Sequence, residues 1–344
     1  MRAVTFQSPG VVSVEERPEP DLIDPTDAIV RVTATGVCGS DLHIYHGRVQ
    51  IEQGFTIGHE YVGTVLAVGD GVKDISVGDR VLGCFQTACG TCYFCRRGMF
   101  HRCEHTRTFG HGSTLGSLQG TQADMALVPN ADLVLRRVPE GMSEDVAIFA
   151  GDVMGTGFHA VDASGLRPGD VAAVMGLGPV GLCAVQAARA AGAAHVYAID
   201  SVPERLAVAE SFGAEAVHLG EQDVKGIIRG GTEGRGVDVS IDAVGDPRVL
   251  ESAIRLTRSC GSIQCIGVYA ERAEVHMGLL WLKALTLRGG HANVLGHVDR
   301  VLAMMAEGVL DPSALVTHHM TLDEAPEAYA IYDRREALKI VLTP

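Results

Sequence analysis

The chain has 344 residues, of which 47% are hydrophobic and 20% are charged. This length is sufficient for two domains, each with its own hydrophobic core. The formal net charge of −14 argues against binding to a nucleic-acid backbone or to an anionic membrane, because nothing would offset the repulsion.

The first half of the chain is predicted to be rich in β-structure. Extended, β-branched segments separated by turn-forming Pro, Gly and Asp occupy positions 2–7, 11–16, 28–36 and 61–69. Long helical periodicities are scarce before residue 140. We therefore expect a β-rich domain in this half.

From residue 171 onward, strand-like segments alternate with helical ones. Short apolar runs that read as strands occupy positions 171–175, 195–200, 236–245 and 261–268. This alternation predicts an α/β domain with a parallel sheet and right-handed crossovers. The remaining elements expected near the end of the chain are helices at 297–308 and 323–333 and a strand within 337–344.

A glycine pattern follows the first of these apolar runs. Gly176, Gly178 and Gly181 form G-x-G-x-x-G between a predicted strand and a predicted helix. The first glycine permits a tight turn, the second admits a pyrophosphate close to the backbone, and the third allows the helix to pack on the strand. Asp200 ends the next strand, about 20 residues later, where an acidic side chain binds ribose hydroxyls. The context predicts a dinucleotide site.

Asp200 favours NAD over NADP as the dinucleotide. Its carboxylate would repel a 2′-phosphate, and its immediate neighbours carry no cation. Arg205, one helical turn later, is placed to stack near the adenine. The alternative role for Asp200 is the N-cap of a helix that begins at Pro203. The other residues assigned to the cofactor site are Pro179, Val180, Val244, Gly267 and Val268.

Four cysteines lie within fifteen residues, in the spacing C-x2-C-x2-C-x7-C: Cys89, Cys92, Cys95 and Cys103. Four thiolates close a tetrahedron around zinc and leave no open position, as in structural zinc sites. The alternatives are disulfides, four buried thiols or a zinc ribbon that binds nucleic acid, and the acidic charge argues against the last. We expect a zinc lobe spanning residues 84–108.

A second, dispersed set of metal-binding side chains comprises Cys38 in GVCGSDLH, His59-Glu60 in IGHEYVG, and Asp152 in FAGDVMGTGFH. Three ligands of this kind leave a fourth position of zinc open, which catalysis requires. Spacing alone supports this set weakly, because a single Cys, His or Asp is more often a core thiol, a satisfied histidine or a helix cap.

The segment Gly58-His59-Glu60-x2-Gly63-x5-Gly69-x2-Val72 resembles the zinc signature of medium-chain alcohol dehydrogenases. The segment 38–43, the turn at 77–81, the cysteine lobe and the glycine fingerprint follow in that family's order. The resemblance therefore covers the whole chain. It implies a GroES-like catalytic domain formed by residues 1–153 and 294–344, and a Rossmann NAD-binding domain formed by residues 154–293.

The same resemblance implies roles for individual residues. Cys38, His59 and Asp152 are expected to bind a catalytic zinc, with Glu60 behind the metal as a transient ligand. Thr156 is expected to lie against the nicotinamide. The horse-liver type of this family has cysteine where this chain has Asp152, whereas the segment GDVMGTGFH is similar to bacterial secondary-alcohol dehydrogenases and, less closely, to formaldehyde dehydrogenases.

These features predict an NAD-dependent zinc enzyme that oxidises a small alcohol, with two zinc ions per chain. Ser40 is placed to accept the alcohol proton and His43 to pass it to solvent. The alternatives are a helix cap for Ser40 and a surface position for His43. Secondary alcohols rank first as substrates, followed by primary alcohols or formaldehyde and then polyols. A zinc-free quinone or enone reductase and a non-catalytic binding protein are the rival functions.

Secretion and membrane insertion are not indicated: MRAVTFQSPG has no apolar core of signal-peptide length, and no apolar run reaches the roughly 18 residues that cross a bilayer. We expect a cytoplasmic homotetramer, with a dimer as the alternative. The histidines interpreted as loop or surface residues are His101, His105, His111, His318 and His319. The cysteines interpreted as small apolar fillers are Cys84, Cys183, Cys260 and Cys265.

Overall fold

The computed structural model describes all 344 residues, which form sixteen strands. In chain order the strands are β1 (Arg2–Ser8), β2 (Val11–Glu16), β3 (Ala28–Val37), β4 (Phe55–Thr56), β5 (Tyr61–Val68), β6 (Arg80–Gly83), β7 (Met125–Val128), β8 (Leu135–Arg137), β9 (Val171–Met175), β10 (His195–Asp200), β11 (Glu215–His218), β12 (Val237–Asp242), β13 (Thr257–Cys265), β14 (Thr286–Gly289), β15 (Val316–Thr321) and β16 (Lys339–Thr343).

Eleven α-helices accompany these strands. They are α1 (Gly39–Tyr45), α2 (Ala131–Val134), α3 (Glu144–Ala147), α4 (Val153–Ser164), α5 (Pro179–Ala190), α6 (Pro203–Ser211), α7 (Val224–Gly231), α8 (Pro247–Leu256), α9 (Met277–Lys283), α10 (Val294–Ala306) and α11 (Ala325–Asp333). None of them combines the length and the apolar character that crossing a bilayer requires.

The chain folds into two compact units. The first unit comprises Met1–Asp152, Asn293–Glu307 and Pro312–Pro344. The second comprises Val153–Ala292 together with the short segment Gly308–Asp311. The sequence predicts this short segment to be part of the catalytic domain. It belongs to the second unit, where Gln186 exchanges two hydrogen bonds with the backbone of Asp311, both 2.8 Å long.

The first unit is built on sheets that are antiparallel except for the parallel pair β15–β16, and it is β-rich as the first half of the sequence predicted. Its larger sheet has the order β15-β16-β3-β5-β6-β8, with β7 also paired to β3, and a smaller sheet has the order β2-β1-β4. Alternate residues of β3 point into one core, so that Ala28, Val30 and Val32 are buried while Arg31 between them is exposed. This period of two is the signature of a strand with one buried face.

The second unit is a parallel six-stranded sheet in the order β11-β10-β9-β12-β13-β14. This is the Rossmann order, and the expected combination of a GroES-like domain with a Rossmann domain is confirmed. The central strand β9, VAAVM, is buried along almost its whole length because helices cover both faces of such a sheet. The strand order reverses at β9, and sheets of this kind bind ligands beyond the carboxyl ends of the strands at such a point.

Candidate active site

Cys38 lies where the longest strand of the first unit turns into a helix. β3 ends at Val37 and α1 begins at Gly39, so that Cys38 is the N-cap residue, with extended backbone angles. The backbone N–H of Cys38 donates to Asp41 Oδ2 at 3.0 Å. Asp41, which is fully buried, therefore fixes the direction in which the cysteine enters the site.

His59 and Asp152 bring their side chains to the same place. His59 Nε2 lies 3.2 Å from Asp152 Oδ2, and Cys38 Sγ lies 3.4 Å from that same oxygen. On the other side of the imidazole ring, His59 Nδ1 lies 3.1 Å from Asp41 Oδ1. A carboxylate against the outer nitrogen is the usual partner of a histidine that binds metal, because it sets the tautomer and orientation of the ring.

The donor atoms of Cys38, His59, Glu60 and Asp152 all lie within 4.8 Å of one another. A tetrahedral zinc ion with bonds of about 2.0–2.3 Å separates its ligand atoms by roughly 3.3–3.8 Å. The distances from Asp152 Oδ2 to His59 Nε2 and to Cys38 Sγ, 3.2 and 3.4 Å, are close to this range. The soft thiolate, the imidazole and the carboxylate are also the ligand types that zinc prefers.

The electrostatics of this pocket favour a positive charge. Burial opposes protonation of His59, but Asp41 and Asp152 outweigh it and raise the pKa of the imidazole. Burial, followed by the charges of Asp152 and Glu60, raises the pKa of the Cys38 thiol to about 11. A divalent cation would oppose both shifts, because its positive charge offsets the carboxylates and favours the thiolate. The residues therefore fit a zinc ion.

Glu60 forms a buried ion pair with a lysine. Lys339 Nζ lies 2.7 Å from each carboxylate oxygen of Glu60 and 3.2 Å from the Val37 carbonyl oxygen, and both charged side chains have no exposed surface. A Cβ at position 36 would overlap Glu60 Oε2, so only glycine leaves room for this pair. Burial raises the pKa of Glu60 and outweighs the charge of Lys339, which lowers it, so the pKa lies above its usual value.

Ser40 and His43 lie on α1, one helical turn apart. Ser40 Oγ is 3.2 Å from His59 Nε2, which places the hydroxyl beside the edge of the ring that faces Asp152. Because Cys38 is the N-cap, the alternative role of Ser40 as the cap of α1 is wrong. His43 is half-buried, and burial, followed by the charges of Arg48 and His46, lowers its pKa.

The four cysteines of the lobe also converge, with all four sulfur atoms within 4.8 Å of one another. Cys89 Sγ and Cys95 Sγ are 4.0 Å apart, close to the roughly 3.8 Å expected across a tetrahedral zinc and far above the roughly 2.05 Å of a disulfide. Burial opposes the Cys89 thiolate, but hydrogen bonds from Thr91 outweigh it and lower the pKa of Cys89 to about 6. The lobe is thus a candidate structural zinc site.

Sequence reasoning missed three residues around the catalytic pocket. Asp41 stands three residues after Cys38, the spacing of a side chain that caps a helix start, and this could have revealed it. Lys339 is a charged residue inside an apolar terminal strand, which is a signal of a buried partner. His111 lies on a loop but packs against the site, with its ring centroid 5.3 Å from that of His59. No local pattern marks His111.

The glycine fingerprint of the second unit adopts the expected turn. Gly176 has φ +86°, and a Cβ there would overlap the Val244 side chain. A Cβ at Gly181 would overlap the Gly176 carbonyl oxygen, whereas no protein atom lies within 4 Å of the corresponding point at Gly178. The second glycine therefore leaves open space at the N-terminus of α5, which begins at Pro179 and continues through Val180. This cradle fits a pyrophosphate.

Asp200 ends β10 beside this turn. Its Oδ2 accepts the Leu177 N–H at 2.6 Å, and its Oδ1 accepts the N–H groups of Ser201 and Val202 at 2.7 and 3.0 Å. The N-cap of α6 is Val202, so the alternative role of Asp200 as that cap is wrong. A carboxylate has about four acceptor positions, and one remains for a ribose hydroxyl. Arg205 is half-buried on the first turns of α6.

The remaining cofactor candidates lie on the same edge of the sheet or on a neighbouring helix. Val244 follows β12, and Gly267 and Val268 follow β13; both valine side chains are exposed. Thr156 is half-buried on α4. Among the cysteines interpreted as fillers, Cys84 is fully buried, but Cys260 is exposed at a position with φ +58°, so that interpretation is wrong for Cys260.

Two known protein families match this chain. Residues 24–140 match the family described as the alcohol dehydrogenase GroES-like domain. Residues 179–307 match the family described as zinc-binding dehydrogenase. Together the two matches cover more than half of the chain.

Individual relatives agree with these matches. The chain is 35% identical to zinc-type alcohol dehydrogenase B of Aspergillus flavus, over 99% of this chain and 81% of that protein. It superimposes on the alcohol dehydrogenase TADH from Thermus sp. ATN1 with a TM-score of 0.97 and 42% identity, over 100% of this chain and 99% of that one. A zinc-binding dehydrogenase from Sinorhizobium meliloti, solved with NADP, gives a TM-score of 0.89 at 30% identity, over 100% and 99% of the two chains.

Proposed function

This chain belongs to the zinc-binding alcohol dehydrogenase family, and we propose that it transfers a hydride from a small secondary alcohol to NAD, giving a ketone. The observation that carries the proposal is the convergence of Cys38, His59 and Asp152 in one buried pocket at the spacing of zinc ligands. A zinc-free reductase on the same fold would need neither this pocket nor the cysteine lobe.

The chemistry divides between two bound groups and the side chains around them. Zinc held by Cys38, His59 and Asp152 would supply a Lewis acid that lowers the pKa of the alcohol, and NAD would accept the hydride. The protein must then remove one proton. Ser40 Oγ, 3.2 Å from His59 Nε2, accepts that proton while its own passes onward.

His43 is the next acceptor in this relay. Burial and its cationic neighbours lower its pKa, so that the imidazole is neutral and able to take a proton at neutral pH. Asp41 holds His59 in one orientation throughout. Lys339 holds Glu60 in place behind the pocket, where Glu60 is available as a transient ligand.

NAD is proposed over NADP because of Asp200. Its carboxylate already accepts three backbone N–H groups, which fixes a negative charge at the end of β10. That charge would repel a 2′-phosphate and would accept a ribose hydroxyl. A relative of the same fold is solved with NADP, so the choice of dinucleotide is proposed to depend on this position and not on the fold.

The secondary-alcohol class is proposed from the third ligand. Asp152, within GDVMGTGFH, stands where secondary-alcohol dehydrogenases resembling this chain also have aspartate. We further propose a homotetramer in the cytoplasm. Reduced lobe thiols suit a reducing compartment, and the exposed Trp281 and Leu282 of α9 supply apolar surface for subunit contacts.

A panel of alcohols tests the proposal through NADH absorbance. The zinc-loaded enzyme is assayed with 2-propanol, 2-butanol, 1-propanol, formaldehyde and sorbitol, each with NAD and with NADP. We expect the highest kcat/KM for a secondary alcohol with NAD. A preference for formaldehyde or sorbitol would contradict the substrate class, and turnover of quinones without any alcohol oxidation would contradict the reaction.

A further inference from the structure

One buried carboxylate in the second unit joins two loops at the carboxyl edge of the parallel sheet. Asp242 ends β12, and its Oδ1 accepts the N–H groups of Val244 and Gly245 at 2.8 and 3.0 Å. Its backbone oxygen accepts the N–H groups of Ile266 and Gly267 at 2.9 and 3.0 Å. A single residue thus fixes the chain that follows β12 and the chain that follows β13.

Tyr269 completes this connection from the second loop. Its hydroxyl donates to Asp242 Oδ2, the oxygen that accepts no backbone N–H, and Cys265 Sγ lies 3.9 Å from the same hydroxyl. Burial, followed by the hydrogen bond to Asp242, raises the pKa of Tyr269, so that the hydroxyl keeps its proton and remains a donor. The Asp242 carboxylate therefore holds both loops through side-chain contacts as well.

The two loops pack backbone against backbone. A Cβ at Gly267 would overlap the Gly245 N and the Val244 carbonyl carbon, and one at Gly245 would come within 2.5 Å of the Val268 carbonyl oxygen. Val244 in turn touches Gly176 of the glycine fingerprint. A shift of one loop must therefore shift the other.

The position of these loops indicates which half of the dinucleotide they meet. The pyrophosphate cradle lies after β9, and Asp200, the proposed partner of the adenosine ribose, lies after β10 on one side of it. The strand order reverses at β9, with β12 and β13 on the opposite side. A dinucleotide spanning this switch point places its nicotinamide half over the loops that follow β12 and β13.

We infer that the Tyr269–Asp242 hydrogen bond sets the arrangement of the two loops that receives the nicotinamide half of NAD, so that Tyr269 is a positioning residue. The inference rests on the proposed use of NAD as the cofactor. Tyr269 needs no contact with NAD for this role, because it acts through the backbone of residues 244–245 and 266–268.

The test compares two ligands that share their adenosine and pyrophosphate. The Kd of NAD and of ADP, which lacks the whole nicotinamide half, is measured by isothermal titration calorimetry on the zinc-loaded full chain and on Tyr269→Phe. Loss of one hydrogen bond to a carboxylate predicts a rise of about fivefold to tenfold in the Kd of NAD. The Kd of ADP should stay within about twofold of the wild-type value, because it lacks the half that meets the two loops.

Tyr197→Phe is the matched control. This tyrosine is buried in the same unit, on β10, with its hydroxyl beside Gly231 and away from both loops, and its replacement should leave both constants unchanged. Equal rises for both ligands in Tyr269→Phe, or no rise for either, would overturn the inference while the proposed cofactor stands. Failure of the wild-type enzyme to bind NAD would instead remove the proposed function and this inference with it.

Discussion

At the scale of single residues, the candidate metal pocket holds more buried carboxylates than buried cations. Asp152 and Glu60 are buried carboxylates, Cys38 is a buried thiol, and Lys339 is already committed to Glu60. Asp41 adds a further carboxylate behind His59. An excess of buried negative charge destabilises the folded protein. A divalent ion that binds these groups relieves the repulsion between them, and this gain contributes to the affinity for the ion.

Cys38→Ala should remove the catalytic zinc and abolish turnover. The variant loses the one soft ligand of the pocket, so that bound zinc should fall from two ions per chain to about one, because the cysteine lobe keeps its own. Zinc is counted by plasma mass spectrometry, and the Kd of NAD should remain within about twofold of wild type, since the cofactor candidates lie in the second unit.

Cys84→Ala is the control for this change. Cys84 is a fully buried cysteine of the same unit and lies outside both groups of candidate ligands. It should keep both zinc ions and its activity, with some loss of stability. Near-normal turnover by Cys38→Ala would refute the ligand assignment.

Lys339→Met should destabilise the first unit strongly. The substitution leaves Glu60 buried without its cation, and breaking a buried ion pair in this way costs about 3–5 kcal/mol. The free energy of unfolding is measured with urea on the zinc-loaded protein. The double variant with Glu60→Gln should regain most of the loss, because no uncompensated charge remains. A cost below about 1 kcal/mol in the single variant would mean that the pair is not buried as described.

At the scale of secondary-structure elements, the sequence predicted what local patterns determine. Strands β9 and β10 and the start of α5 follow from apolar runs and from glycines whose turn geometry is local. The pairing of Lys339 with Glu60 and the contact of His111 with His59 could not be predicted, because only tertiary packing brings these residues together. The extra segment of the second unit, 308–311, escaped prediction for the same reason: its hydrogen bonds to Gln186 are long-range.

The loop after β10 should determine the choice of dinucleotide. Asp200→Asn keeps the size of the side chain and one acceptor oxygen but removes the charge that repels a 2′-phosphate. The ratio of kcat/KM for NAD to that for NADP should fall by about tenfold or more. Glu204→Gln neutralises an exposed carboxylate on the first turn of the next helix and should change this ratio by less than about twofold. An unchanged ratio in Asp200→Asn would contradict the role given to Asp200.

At the scale of the whole molecule, the first unit depends on residues far apart in the chain. Lys339, on the last strand, pairs with Glu60 across 279 residues of sequence. Cys38 and Asp152 meet across 114 residues. The candidate metal pocket is therefore assembled only when the first and last segments of the chain fold together, which explains why spacing alone identified it weakly.

The most direct test of the central claim is the rate of NADH formation from a secondary alcohol, followed as a function of zinc bound per chain. A chelator should first remove zinc from the Cys38, His59 and Asp152 pocket, because a site with an open position exchanges more readily than a closed one of four cysteines. We predict that the rate falls to zero as the zinc content falls from two to one, and returns when zinc is restored. A full rate from enzyme with one zinc per chain, located in the cysteine lobe, would contradict the account.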